Sequence, residues 1–516
     1  MIARPDQFVG VTTYTGNGGT QSIDVGLKPD LVWLKASSEA DWHLLMDTVR
    51  SNTSAIFSNS TQAQETLNGT TQLITSFNRD GFTVVQDNTN FPGTSHNQNS
   101  QSLVAWAWKA GGDKNTFNVD DVGYASASDV NMGVGAQNSA VYNTSAIWSG
   151  MMSGPSNSGS YTSLFDGTAG DAGGYEQPTD GNTLTFTPTG GITATSSIEI
   201  YAYQSASTYA GSADITVNGS SIKTGAVQSA LGTGAAGGYV NIGTTSLTTL
   251  TWSNPSGSNN DYRLMAIKVD GKILVDSNQT PPNVPSIAAT GASVGTKQGF
   301  SIIKYTGTGT AGTIPHGLLE QPKFVIIKDL KNGNAWAIQH VGTTLGTGLL
   351  KFNTDDVDNT VAAAVWNSTA PTSSVFSVGT STDTNGTTNS AEYITYLWHD
   401  VPGLQKFGIY EGNADADGTF VELGFRPILL WRKGIDNNSR GWYITDAIRD
   451  ASNPVNTFLD ASDADADGSG TAVDFLSNGF KLRNADAGTN YSETYIYCAW
   501  AEAPTFNLYG AQSNAR

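Results

Sequence analysis

One stretch of about 90 residues occurs three times in this chain, with its landmark residues in the same order. Each copy opens with a tyrosine before a glycine-containing turn, continues through a proline and an apolar segment, passes a tryptophan and closes near another. The landmarks are Tyr14, Pro29, Trp42 and Trp106 in the first copy, Tyr305, Pro322, Trp336 and Trp398 in the second, and Tyr410, Pro427, Trp442 and Trp500 in the third. Landmarks that keep their spacing over such a length predict a domain that is repeated along the chain.

The segments between the landmarks predict β-strands rather than helices. Phe8 to Tyr14 is rich in β-branched and aromatic residues and stops at Gly16-Asn17-Gly18, which is typical of a strand followed by a turn. Leu31 to Leu34 is short and wholly apolar, which indicates a strand buried on both faces. Roughly five to eight such strands per repeat favour an antiparallel sandwich. We therefore predict an all-β fold with several jelly-roll-like β-sandwich domains in tandem, three of them internal repeats.

Shifts in composition predict where the domains begin and end. The tryptophan landmarks vanish after the first copy, and Gly, Ser and Thr become dominant. Asp270-Gly271 between two alternating apolar runs predicts a hairpin, so this middle part is interpreted as a separate, carbohydrate-binding-like β-sandwich. The predicted parts are repeat 1 (8–112), a connector (113–132), the inserted sandwich (133–279), a proline-containing linker (280–298), repeat 2 (299–403), repeat 3 (404–504) and a polar tail (505–516).

The charge balance argues against two classes of partner. The chain has 26 Lys and Arg against 45 Asp and Glu, for a formal net charge of −19. Nucleic acids and anionic membrane surfaces are bound through clustered basic residues, so neither partner is expected. No apolar run reaches the roughly 20 residues of a membrane span, and the first residues are not typical of a secretory signal. The single cysteine, Cys498, allows no internal disulfide.

Two acidic loops in repeat 3 have the oxygen spacing of calcium loops. The first contains Asp463, Asp465, Asp467 and, at the twelfth position, Asp474; the second contains Asn413, Asp415 and Asp417 without an acid at the twelfth position. Alternate carboxylates can converge on a hard cation where glycine allows a sharp turn. Calcium is therefore a candidate ligand, with solvated acidic turns as the alternative. No other cofactor is expected.

The middle tryptophan of each repeat is a candidate for ligand contact. Trp42, Trp336 and Trp442 lie among polar residues, and an exposed aromatic ring on a β-sandwich can stack on a sugar. The alternative is that they belong to the core, as expected for the tryptophans inside apolar runs, because an aromatic side chain buries a large area.

No pattern in the sequence predicts an enzyme. The histidines, which are nowhere spaced as metal ligands, are His43, His96, His316, His340 and His399. Nucleophile elbows, phosphate-binding loops and zinc motifs do not occur in the sequence. A carboxylate pair for glycoside cleavage is defined by its separation in space, so the sequence cannot identify one.

Several strings together resemble a family of structural proteins of marine tailed phages, especially cyanophages, whose members are labelled tail-fibre or virion proteins. The strings are Tyr14–Gly18, Gly26–Lys35, Asp47–Arg50, Asp80–Phe82, Ala105–Gly112, Phe117–Asp120, Ala266–Asp276 and Ser301–Gly309. The resemblance implies a structural protein of a phage particle, expected to be a tail fibre or short projecting fibre that attaches to a host-surface glycan. It implies no catalytic residue. The alternatives are a head fibre or capsid decoration protein, and a tailspike depolymerase.

This reading also accounts for the composition. A Gly-, Ser-, Thr- and Asn-rich chain with few lysines is typical of an extracellular surface protein, yet its start is not typical of an export signal. A virion protein, assembled in the host cytoplasm and released by lysis, satisfies both observations. Its expected partners are other virion proteins and copies of itself. We predict a homotrimer, because several copies of a weak glycan site gain avidity when they are presented together.

Overall fold

A computed structural model divides the chain into two compact units. The main unit comprises Met1–Ala136 and Pro285–Arg516, and the inserted unit comprises Gln137–Val284. Strands make up 43% of the chain and helices 5%, which confirms the predicted all-β class. The structure describes residues 4–66, 73–86, 96–127, 141–142, 146–157, 160–167, 176–204, 214–222, 232–233, 238–254, 262–279, 285–360, 362–437, 440–506 and 512–513. No helix in these ranges is long and apolar enough to cross a membrane.

The strands follow one another along the chain with few helical turns between them. A 3-10 turn, Pro5–Gln7, precedes β1 (Val9–Thr15), β2 (Gln21–Asp24), β3 (Leu31–Ala36), β4 (Leu44–Asp47), β5 (Ser54–Phe57), β6 (Glu65–Thr66), β7 (Ile74–Asn78), β8 (Gly81–Val84), β9 (Ser102–Trp108), β10 (Phe117–Val119) and β11 (Val122–Tyr124).

The inserted unit contains the next strands, with 3-10 turns at Ser149–Met151 and Thr162–Leu164. They are β12 (Val141–Tyr142), β13 (Met152–Ser153), β14 (Thr183–Phe186), β15 (Ile192–Thr193), β16 (Ile198–Gln204), β17 (Ile215–Val217), β18 (Ser220–Ser221), β19 (Gly232–Thr233), β20 (Gly238–Asn241), β21 (Ser246–Leu247), β22 (Leu250–Ser253), β23 (Tyr262–Val269) and β24 (Lys272–Leu274).

The chain then returns to the main unit. The remaining strands are β25 (Ala289–Gly295), β26 (Phe300–Thr306), β27 (Gly312–Pro315), β28 (Phe324–Asp329), β29 (Ala337–His340), β30 (Val375–Val378), β31 (Glu392–Trp398), β32 (Gln405–Glu411), β33 (Phe420–Glu422), β34 (Pro427–Gly434), β35 (Tyr443–Asp446), β36 (Val455–Asp460), β37 (Gly468–Leu476), β38 (Gly479–Leu482), β39 (Thr494–Ala501), β40 (Thr505–Phe506) and β41 (Gln512–Ser513). The helices α1 (Ala363–Trp366) and α2 (Thr382–Asn385) and a 3-10 turn at Thr388–Ser390 lie within repeat 2.

The three repeats have the same strand order in their main sheets. That order is β1-β9-β3-β4 in repeat 1, β26-β31-β28-β29 in repeat 2 and β32-β39-β34-β35 in repeat 3. In each sheet the strand after the proline landmark is buried along nearly its whole length. This confirms the expectation of a strand covered on both faces. Repeats 1 and 2 each have a small second sheet, β2-β8-β7 and β27-β30, whereas in repeat 3 the further strands continue the main sheet to eight strands. Each repeat also has its own apolar cluster.

The predicted connector and linker contain strands. β10 and β25 pair in parallel, and β25 pairs antiparallel to β26, so both join the main sheet of repeat 2. The segment Ala289–Gly295 consists mainly of small residues, so its sequence lacks the large apolar side chains that signal a buried strand. Residues 128–132 of the connector, 280–284 of the linker and most of the polar tail lie outside the described residues.

One aromatic core is shared by all three repeats, so the tandem repeats form a single compact unit. Trp108, Trp398 and Trp500 occupy the same register position, opposite Leu31, Phe324 and Leu429. Their rings contact one another pairwise, with centroids 5.5 to 6.3 Å apart, and none is more than 1% exposed. The counterpart of Trp398 and Trp500 is therefore Trp108 and not Trp106, which lies two residues earlier.

Equivalent backbone hydrogen bonds join the repeats in a cycle. The amide of Asp467 in repeat 3 donates to Ser37 O in repeat 1, that of Gln64 in repeat 1 to Leu330 O in repeat 2, and that of Asp358 in repeat 2 to Ile435 O in repeat 3. The N···O distances are 2.9, 3.0 and 3.1 Å. Each repeat thus donates to the next one and the third returns to the first, so the main unit is a pseudo-threefold ring within one chain.

Side-chain hydrogen bonds cross the same three boundaries between repeats. Tyr396 Oη of repeat 2 donates to Asp47 Oδ2 of repeat 1 at 2.7 Å, and Trp106 Nε1 of repeat 1 donates to Asp446 Oδ2 of repeat 3 at 3.2 Å. His340 occupies the corresponding place in repeat 2, and its Nε2 lies 3.1 Å from Tyr497 O of repeat 3. Both aspartates also bind a buried arginine three residues later. The boundaries between repeats therefore carry buried polar groups that hold the ring in register.

A buried lysine stands at one register position in every repeat. Lys35, Lys328 and Lys433 are inaccessible to solvent, and burial lowers the pKa of each to about 8. Their Nζ atoms donate to backbone carbonyls, at 2.6 Å to Ala36 O for Lys35 and at 2.5 Å to Arg440 O for Lys433. Main-chain oxygens thus accept hydrogen bonds from each ammonium group, which partly offsets the cost of burying its charge.

Candidate functional site

The structure overturns two of the three tryptophan candidates. Trp336 and Trp442 are at most 1% exposed, and their indole N–H groups donate across repeat boundaries to Phe57 O and Lys351 O, at 3.0 and 2.8 Å. They look exposed in the sequence because the residues that bury them belong to another repeat. Trp42 is half-buried, and its ring lies edge-on to Phe57 at 5.2 Å. Trp336 and Trp442 therefore present no free aromatic face for a ligand, and Trp42 stays a prediction.

The acids of the first calcium candidate are divided between a loop and a strand. Asp467 pairs with Arg449 at 2.6 Å, and Asp474, on β37, pairs with Arg483 at 3.0 Å. Asp463 is half-buried, and its burial raises its pKa to about 6. Within the described residues, no group of three or more Asp, Glu, His or Cys side chains is placed to hold a metal ion. Calcium therefore stays a prediction without supporting geometry.

The second acidic loop is closed by its own hydrogen bonds. The amide of Asp415 donates to Asn413 Oδ1 at 3.1 Å, and the amide of Asp417 donates to Asp415 Oδ1 at 2.8 Å. Asn490 Nδ2 donates to Asn413 Oδ1 at 3.0 Å, and Lys481 pairs with Asp417 at 2.8 Å. The hydrogen bond from Lys481 lowers the pKa of Asp417. These contacts explain the alternating pattern as an ordered turn.

A different group of side chains forms the best candidate site, on the outward face of a sheet in the inserted unit. β16 pairs with β20 on one side and with β23 on the other. Ile198, Ile200 and Val240 point into the core. The alternate positions on the opposite face are Glu199, Tyr201, Tyr239, Asn241 and Lys268.

These five side chains lie close enough to act together. The rings of Tyr201 and Tyr239 are 5.0 Å apart and nearly perpendicular, and Lys268 Nζ lies 3.6 Å from the centre of the Tyr239 ring. Glu199 stands directly opposite both Asn241 and Lys268 in the strand register. Burial raises the pKa of Tyr239, with Glu199 as a further cause, so its phenol is neutral at physiological pH. The face combines two aromatic rings with an amide, an ammonium and a carboxylate.

A shallow cleft continues from this face. It has a volume of about 510 Å³ and is lined by Ser196, Asn241, Gly243, Thr244 and Thr245. Asn241 Oδ1 accepts a hydrogen bond from the amide of Gly243 at 2.8 Å, which orders the turn after β20. Hydroxyl and amide groups of this kind both donate and accept hydrogen bonds.

Part of this site could have been found from the sequence. Ser197 to Tyr203 alternates apolar and polar residues and predicts a strand, which the structure confirms as β16. That alternation already places Glu199 and Tyr201 on one face. The contribution of Tyr239 and Asn241 depends on which strand pairs beside β16, and the glycine-rich segment around them contains no strong strand signal.

A family model described as a domain of unknown function, DUF7483, matches residues 4–147 and 276–504. The match covers nearly all of the main unit and leaves out residues 148–275, which form most of the inserted unit. Searches of curated proteins and of solved structures gave no match. Since the family model spans more than half of the chain, and does so on both sides of the insertion, the protein belongs to the DUF7483 family.

Proposed function

We propose that this protein is a structural component of a tailed-phage particle and attaches to a host-surface carbohydrate through its inserted unit. The observation that carries the carbohydrate part is the outward face of Tyr201 and Tyr239 with its flanking polar side chains. A sugar ring presents apolar C–H groups on one side and hydroxyls around its rim. Aromatic rings suit the first, and the amide, ammonium and carboxylate suit the second.

The division of the chain supports this assignment of roles. The DUF7483 match covers the ring of repeats, which is thus the part shared within the family, and it leaves out most of the inserted unit. Attachment to a particle requires a body that fits the other virion proteins, whereas recognition of a host requires a surface that differs between proteins. The phage assignment itself rests on the resemblance of the sequence strings described above.

The three repeats within one chain do not take the place of the proposed homotrimer. Adhesive proteins gain avidity from several linked copies of one weak site. Three chains would supply three glycan sites, whereas one chain holds three repeats of the body but a single inserted unit. We therefore keep the homotrimer as part of the proposal. Light scattering at micromolar concentration should give about three times the 54.2 kDa of the monomer; a monomer would favour a decoration protein ordered by its lattice.

A glycan-binding measurement on the whole chain tests the carbohydrate site. The purified protein is screened on an array of bacterial surface polysaccharides, and the best ligand is titrated by calorimetry. Tyr239→Ala should weaken binding about tenfold or more, equivalent to at least 1.4 kcal/mol. Tyr491→Ala is the matched control, because Tyr491 is 50% exposed and belongs to repeat 3 of the main unit, whereas the candidate face belongs to the inserted unit.

Five outcomes would reject parts of the proposal. Equal losses for Tyr239→Ala and Tyr491→Ala, or no bound glycan at millimolar concentration, would remove the carbohydrate site. Release of shortened saccharides from the array would favour the depolymerase alternative. Immunogold labelling of phage particles decides the location: labelled heads would favour a head fibre or decoration protein, and particles without label would refute the virion assignment.

A further inference from the structure

The edge of the main sheet is treated differently in repeats 1 and 2. In repeat 2 the first strand, β26, has a further strand along its outer side: β25 runs antiparallel to it, with Gly291 opposite Lys304, Ser293 opposite Ile302 and Gly295 opposite Phe300. In repeat 1 the equivalent strand, β1, ends the sheet. The position that β25 fills in repeat 2 is thus filled by no strand of the described residues in repeat 1.

The open edge offers regularly spaced backbone groups. Phe8 O accepts from the amide of Lys109, and the amide of Gly16 donates to Gln101 O. In an antiparallel pair these bonds recur at every second residue, so the even-numbered residues of β1 face β9. The N–H and C=O groups of Val9, Val11 and Thr13 point the other way. Thr13 is exposed, whereas Val9 and Val11 are 3% and 9% exposed, so the accessible part of this edge is its Thr13 end. Within the described part of the chain, no hydrogen bond satisfies them.

Repeat 3 closes the corresponding edge with its own residues. Val401 and Gln405 exchange backbone hydrogen bonds, both of 3.0 Å, and the amide of Phe407 donates to Asp400 Oδ1 at 2.8 Å. Ile409 lies against Gly342 of repeat 2, where a Cβ added to the glycine would come within 2.2 Å of it. Gln405, Phe407 and Ile409 correspond to Val9, Val11 and Thr13 by register. Among these three strands, β1 is therefore the one for which the described chain provides no hydrogen bond to any of the three outward positions, whereas repeat 3 pairs Gln405 and Phe407 and leaves only Ile409, which is 52% exposed.

An apolar side chain beside this edge points to the same conclusion. Ile448 stands two residues after Asp446, as Val49 stands two residues after Asp47. Val49 is covered by β25, since a Cβ added to Gly291 would lie 3.2 Å from Val49 Cγ1. Ile448 has no such cover among the described residues and is 41% exposed. It lines a cleft of about 360 Å³ together with Thr13, Thr15, Ser37, Thr457 and other residues of repeats 1 and 3.

We propose that β1 and the cleft beside Ile448 bind an extended segment of a partner protein, which adds to the sheet as a strand antiparallel to β1. Main-chain hydrogen bonds would provide the affinity, and the cleft would select the side chain, as in other cases of strand addition. The segment has glycine opposite Thr13, because Ile448 is larger than Val49, and Val49 already requires Gly291 in the equivalent site.

A second copy of β1 fits this edge less well than a different segment. In an antiparallel pair formed by two copies, outward-facing residues oppose each other, so Val9, Val11 or Thr13 would stand opposite Thr13. Each of them would bring a branched side chain to the place where glycine is required. The partner is therefore an extended segment of another polypeptide, and self-pairing is an outcome that the experiment can detect.

A synthetic peptide of residues 287–297, the sequence of β25 with its flanking residues, is a suitable probe for the whole protein. The equivalent site of repeat 2 is already filled by β25, so it is not available to the peptide. Fluorescence anisotropy should show saturable binding, and hydrogen exchange should slow at the amides of Val9, Val11 and Thr13. A peptide with Gly291→Val should bind about tenfold more weakly, a difference of roughly 1.4 kcal/mol.

Two protein variants make the test specific. Thr13→Pro removes an N–H that the described chain does not use, and proline is tolerated on an edge strand, so the protein should fold and lose the peptide. Thr13→Val keeps the N–H and should keep binding. No saturable binding at about 2 mM peptide, or equal binding by both variants, would overturn the proposal. Concentration-dependent dimers with protected β1 amides, absent peptide, would overturn the choice of partner in favour of a second copy.

Discussion

Replacing Trp106 with alanine should destabilise the ring selectively. Its side chain is fully buried, lies edge-on to Trp33 at 6.2 Å and donates from Nε1 to Asp446 Oδ2 at 3.2 Å across the boundary between repeats 1 and 3. The guanidinium of Arg449 lies 5.5 Å from its ring centre. The substitution therefore removes core volume, one hydrogen bond to a buried carboxylate and a cation–π contact.

The expected cost follows from these contacts. Truncation of a buried tryptophan to alanine costs about 3–5 kcal/mol in free energy of unfolding. Trp106→Phe keeps an aromatic ring and loses the N–H, so it should cost about 1–2 kcal/mol, the size of one hydrogen bond. Asp446 retains Arg449 and two backbone amides, at 2.7, 3.1 and 2.8 Å, so the carboxylate does not become unpaired. For this reason we add no further penalty for a buried charge.

Differential scanning calorimetry of the whole chain is the appropriate assay, because the two compact units should unfold in separate transitions. Trp106→Ala should lower the transition of the main unit by roughly 4–6 °C and leave that of the inserted unit unchanged. Trp252→Phe is the matched control: Trp252 is buried in the inserted unit and donates to Glu176 O at 3.2 Å, so the other transition should move. A shift below about 2 °C for Trp106→Ala would refute the shared core.

Three further measurements follow from buried charges. Burial lowers the pKa of His340 to about 3. As the pH drops from about 6.5, the unfolded chain therefore binds a proton at His340 before the folded chain does, and the free energy of unfolding should fall. His340→Asn should make the free energy of unfolding, measured in urea, depend less on pH. The pKa of Lys433 is lowered to about 8, so stability should rise between pH 8 and about 10, and Lys433→Met should reduce the rise measured by the same method. Titration calorimetry with calcium tests the first acidic loop. Because Asp467 and Asp474 are already paired with arginines, we expect at most millimolar affinity. Nanomolar binding would contradict this geometry.

The sequence alone determined the fold class, the number of repeats and the location of the insertion. These properties are written locally, since strands are marked by alternation or short apolar runs and their ends by glycine, proline and asparagine. The apolar run at Leu31 even indicated burial on both faces, which the structure confirms. The same local reading placed Tyr201 on a strand without showing what would lie beside it.

Tertiary structure alone decided how the repeats combine. Trp336 and Trp442 stand among polar neighbours in sequence, yet another repeat buries each of them. Hydrogen-bond register, which depends on pairing between distant strands, makes Trp108 rather than Trp106 the counterpart of Trp398. The physical reason is common to all these cases. A side chain's own segment sets its local conformation, whereas its burial and partners are set by residues that only the closed ring brings next to it.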